Sequence, residues 1–71
     1  MTSEWPGVRA SRLLAALLRI GWTVSRQRGS HRRLVRTGYP PMTFAFHDGE
    51  EIGPRMVAKI AKDGGLSPDD L

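Results

Sequence analysis

Leu13, Leu14, Leu17 and Leu18 recur three and four residues apart, the spacing of a single apolar stripe on an α-helix. Ser11 is the expected N-cap, with a start a few residues earlier as the alternative, and Gly21 sits where a C′ residue ends a helix. From Trp22 the period falls to two. Trp22 and Val24 alternate with Thr23 and Ser25, as in a half-buried strand. Arg28-Gly29-Ser30 is a turn signal, and residues 31–36 form a second strand with Leu34 and Val35 at its centre. Residues 37–41 (TGYPP) turn again, after which Met42, Phe44 and Phe46 alternate with Thr43, Ala45 and His47 as a third strand. Residues 48–53 form a loop, and Pro54 suits the first position of a second helix. Its stripe is Met56, Val57, Ile60 and Ala61, stopped by Gly64-Gly65.

The predicted fold class is therefore α+β, in the order αβββα: a three-stranded antiparallel sheet with both amphipathic helices on one face and the other face open. A first hairpin centred on Gly29 sets Val24 opposite Leu34, and a second centred on Tyr39 sets Leu34 opposite Phe44. The resulting row is wholly apolar, and a slip of one residue would break it. The predicted core holds Leu14, Leu17, Val24, Leu34, Phe44, Val57 and Ile60. The chain 1–71 reads as a single domain, with its core at about 9–66 and with 1–8 and 67–71 as loose ends.

At 71 residues only one thin core is expected. The absence of cysteine removes disulfides and thiolate metal sites, and two histidines among scattered carboxylates argue against structural zinc. No metal and no small-molecule cofactor are expected. The apolar run at 13–18 is too short to span a bilayer, and the opening MTSEWPG lacks the charged and apolar regions of a signal peptide. A cytoplasmic protein without membrane contact is the expectation. Charge changes the picture most. Residues 1–47 hold eight arginines against one acid, Glu4, for a net +7, whereas residues 48–71 hold three basic residues against six acids, for a net −3. A basic body with an acidic end suggests a polyanion partner. The basic residues of the body are all arginine, whose planar fork matches phosphate oxygens.

The segment 22–36, WTVSRQRGSHRRLVR, places His31 directly after Gly29-Ser30 among five arginines. Histidine both gives and takes a proton near neutral pH, and a proton-transfer group among phosphate clamps is what metal-free RNA cleavage requires. The hairpin register also sets Gln27, His31 and His47 in one row on the open face, flanked by Arg28 and Arg33. Two neighbouring imidazoles would serve as general base and general acid, with Arg28, Arg32 or Arg33 stabilising charge on phosphorus. The plainer alternatives are a solvated basic face, and a His47 that only hydrogen-bonds a loop at a strand end.

At these residues the sequence resembles the HicA (YcfA-like) mRNA interferase toxins of toxin–antitoxin systems. The resemblance is carried by the leucine helix ending in Gly21-Trp22, by Arg26-Gln27-Arg28-Gly29-Ser30-His31, by MTFAFH at 42–47, and by Gly53-Pro54 followed by the Ile60-bearing helix and Gly65-Leu66. It covers about residues 9–66. It implies a fold like a double-stranded RNA-binding domain, RNA cleavage with His31 as the catalytic residue, and a HicB-type antitoxin that covers the active site. His47 becomes the candidate second catalytic group, and Arg26, Gln27, Arg28, Ser30, Arg32 and Arg33 the candidate RNA contacts. The family commonly has a proline two residues before the second histidine and basic residues after it. This chain has Ala45, then Asp48-Gly49-Glu50-Glu51, an acidic loop expected to repel RNA at that edge. Two other readings stay open. One is a non-catalytic RNA-binding module of the same fold, which would tolerate glutamine at position 31. The other is an inactive toxin relative that only binds an antitoxin-like partner.

Overall fold

The computed structural model describes residues 4–71. Strand β1 (Val8–Arg9) leads into helix α1 (Ala10–Arg19); strands β2 (Thr23–Arg28), β3 (His31–Val35) and β4 (Met42–Ala45) follow. Strand β5 (Glu51–Ile52), helix α2 (Pro54–Gly64) and a 3-10 turn (Pro68–Asp70) complete the chain. The main sheet is antiparallel in the order β2-β3-β4, with two helices against it: the expected α+β, dsRBD-like arrangement. The short β1-β5 pair, Val8 with Ile52 and Arg9 with Glu51, was not predicted.

That pair anchors the start of the domain. Val8 is buried, and Trp5 packs against the core. The segment expected to be a loose lead-in is thus tied down from its middle, while its residues 1–3 lie outside the described residues. The tail is anchored as well. Ser67 and Asp70 form a capping box, Arg19 Nη2 donates to the Asp70 carbonyl, and Leu71 packs against the core.

Helix α1 starts at Ala10, not at a Ser11 cap, and its N-cap Arg9 makes no side-chain capping bond. Distant backbone does the capping: Ala10 N–H donates to the Glu50 carbonyl at 2.8 Å and Ser11 N–H to the Asp48 carbonyl at 3.0 Å. At the far end of α2, Gly65 adopts φ +77°, and the Gly64 carbonyl accepts from Trp22 Nε1 at 2.8 Å and Arg36 Nη1 at 3.2 Å. Arg36 also lies over the Tyr39 ring, 4.4 Å from its centroid.

The core is built from Leu13, Leu17, Trp22, Leu34, Phe44 and Val57, with Leu14 and Ile60 packed partly buried against it. Val24 departs from expectation: it faces the helix side opposite Leu34 yet is 39% exposed, because all six residues of edge strand β2 are exposed. Met56, expected on the buried stripe of α2, is exposed too. The second hairpin register also differs. Leu34 pairs with Met42 and Arg32 with Phe44. The turn is centred on Gly38, φ +87°, closed by Tyr39 N–H to the Arg36 carbonyl at 3.1 Å, and not on Tyr39.

Candidate functional site

Side chains alternate along a strand, so Leu34 and Arg32 of β3 face the helices while His31 and Arg33 face outward. On β2 a one-residue register shift at Ser25 decides what joins them. Thr23 and Val24 pair with Val35 and Leu34, but past the shift Arg26 pairs with Arg33, Gln27 with Arg32 and Arg28 with His31. Paired residues share a face. The shift therefore turns Arg26 and Arg28 onto the open face and Gln27 to the helix side, as bulges commonly re-aim side chains. The Ser25 hydroxyl donates to the Arg33 carbonyl at 3.2 Å beside the shift, and Gln27 Nε2 donates to the Gly29 carbonyl at 3.3 Å.

Two rows then cross the open face: Arg28, His31, Ala45 and Arg26, Arg33, Thr43. All six residues are exposed and none is acidic. A polyanion laid across these rows meets three guanidinium groups around one imidazole. The expected row of Gln27, His31 and His47 does not form. Gln27 lies on the other face, Ala45 sits opposite His31, and His47 falls two residues farther on, past the end of β4.

Arg32 is set apart from the other arginines. Its side chain is only 14% exposed, and Nη2 binds Asp48 Oδ1 at 3.0 Å. Its Nη1 is buried without a hydrogen-bond partner. The acidic loop that carries Asp48 is also fastened through its backbone. Besides capping α1, it closes on itself through Glu50 N–H to the His47 carbonyl at 2.9 Å and His47 N–H to Glu50 Oε1 at 3.2 Å. A shallow cleft of about 320 Å³ opens where this loop meets the β2–β3 turn, lined by Gly29, Ser30, Arg32, Phe46, His47 and Asp48. Sequence reasoning missed Asp48 and Phe46 as site residues. The parity that puts Arg32 with Leu34 was the available signal, since an arginine turned toward the helices needs a nearby carboxylate. Among the described residues, no group of three or more His, Cys, Asp or Glu comes together to hold a metal ion.

A family model described as the HicA toxin of bacterial toxin-antitoxin matches residues 10–66. The chain belongs to the HicA toxin family. The matched stretch runs from the first residue of α1 to just beyond α2, so it takes in the whole open face. No curated protein and no solved structure matches the sequence significantly. Membership makes this HicA domain a toxin of a toxin–antitoxin system. Among the described residues, no helix is long and apolar enough to cross a membrane.

Proposed function

We propose that this HicA domain is a small metal-independent endoribonuclease, an mRNA interferase, that cuts RNA on the open face of its sheet. The observation that supports it is the row Arg28, His31, Ala45 beside Arg26, Arg33, Thr43: one exposed imidazole framed by three guanidinium groups, with no acid in either row. His31 takes the proton of a ribose 2′-OH. The 2′ oxygen bonds to phosphorus, the P–O5′ bond breaks, and the 5′ oxygen takes a proton from His47 or from water. The products are a 2′,3′-cyclic phosphate and a 5′-hydroxyl. Arg26, Arg28 and Arg33 bind the phosphates and offset the charge that builds on the transferring one. Ser30 lies in the turn beside that path, whereas Gln27 and Arg32 face the other side of the sheet, where Arg32 acts through the loop that carries His47. A HicB-type antitoxin silences the toxin by covering the open face, in the cytoplasm where mRNA is found.

Incubation of purified protein with RNA in excess EDTA tests this. His31→Ala should lower the rate by about 10²–10⁴ while the protein stays folded, and chelation should leave the wild-type rate unchanged. A folded His31→Ala protein that cuts as fast as wild type, or cleavage stopped by chelation alone, would sink the mechanism. His47→Ala sorts the acid: a bell-shaped pH–rate profile in wild type that becomes a single limb in the variant makes His47 the second group. The separation of His47 from the His31 row favours a second reading, a module that binds RNA without cutting it. RNA binding without cleavage by the wild-type protein would establish that one.

A further inference from the structure

The cleft at the end of the sheet differs in chemistry from the arginine face it adjoins. Gly29 and Ser30, which line it, directly precede His31 in the chain, so whatever occupies the cleft lies beside the histidine. Its one acid, Asp48, is 66% exposed, and among the described residues its Oδ1 alone is engaged, by Arg32 Nη2 at 3.0 Å. The Arg32 charge is already matched by that carboxylate. A phosphate brought into the cleft would meet the carboxylate's negative charge with no unmatched cation lining the cleft to offset it. A neutral group rich in N–H donors suits the site. Phe46 and His47 add ring surface to the lining, the kind of wall on which an unstacked base is held.

Resting on the reading of the open face as an RNA site, we propose that this cleft is a base-selecting subsite next to the scissile phosphate, and that its preferred occupant is guanine. Guanine carries two adjacent donors, N1–H and N2–H, that fit the two oxygens of one carboxylate, here Asp48. Its neighbouring O6 accepts from the Ser30 hydroxyl or the Arg32 guanidinium. Adenine and cytosine present one exocyclic amino group to a carboxylate, and uracil a single ring N–H. The acidic loop then has a use in RNA recognition: it rejects backbone and accepts a base edge.

The test is binding of short U-rich RNA pentamers with one central G, A, C or inosine to the His31→Ala protein, by fluorescence anisotropy at fixed salt. The G pentamer should bind at least about fivefold tighter than the others, the discrimination expected of one bidentate base contact. Inosine, which lacks the N2 amino group, should lose that advantage, and so should G in the Asp48→Asn variant. Equal affinity for all pentamers, or a G preference that survives both changes, overturns the proposal. If Asp48→Asn fails to fold because Arg32 loses its partner, the inosine comparison decides alone. Binding preference is read on uncut RNA. Absence of cleavage by wild type would therefore remove the nuclease and leave the subsite, whereas base-blind binding would remove the subsite and leave the nuclease.

Discussion

The two faces of strand β3 carry opposite kinds of residue within five positions. Inward, Leu34 is fully buried and Arg32 is held by Asp48; outward, His31 and Arg33 are exposed. The inward side is coupled to everything else in so small a domain, because a single thin layer of side chains separates sheet from helices. The outward side is free to carry chemistry. Stability and activity should therefore separate by residue parity along one strand.

The sharpest way to break that comparison is from within. Leu34→Ala should cost about 2–5 kcal/mol of stability, from lost transfer energy and an unfilled cavity, measured by urea unfolding. A loss under about 1 kcal/mol would mean the two faces are not energetically distinct. Gly64→Ala tests the same layer by overfilling. An added Cβ would come within 2.7 Å of Leu17 Cδ2 and 3.1 Å of Met42 Cε. Overpacking should cost about 1–3 kcal/mol, more than the helix propensity alanine returns. An unchanged or raised melting temperature would show that the α2 end has room to relax. On the outward side, replacing Arg28 and Arg33 together should leave stability alone and reduce the salt dependence of RNA binding by about one to two units of log–log slope. An unchanged slope would move the RNA to another surface. Val24→Ala should do least, no more than about 1 kcal/mol, since this inward residue lies at an uncovered edge. A core-sized loss there would show that β2 is covered in solution.

The element order and the inward parity of Leu34 and Phe44 were legible because a buried face leaves a period-two record in the chain. The second register was not. Sliding β4 by two residues exchanges Phe44 for Met42 opposite Leu34, and both are apolar on the same face, so hydrophobic pattern cannot tell the two apart. Only Gly38, at the position of positive φ, marked the true turn centre. The cost of that ambiguity fell on the site, where Ala45 and not His47 came to face His31. Strands β1 and β5 escaped notice because two residues are too few to show a period. The register shift at Ser25 left no trace either, since every residue after it on β2 is polar.

That shift lets one strand serve both sides of the sheet from positions of the same parity. Val24, Arg26 and Arg28 are spaced by two, yet Val24 faces the helices and the two arginines face outward, because Ser25 between them has no register partner on β3. Deleting Ser25 would make the same pairings consecutive and leave every arginine on its face. Moving the shift beyond Arg26, with no residue gained or lost, would instead turn that arginine to the helix side and bring Ser25 out. What the open face displays therefore depends on where along the hairpin the extra residue is accommodated, which neither the composition nor the core pattern records.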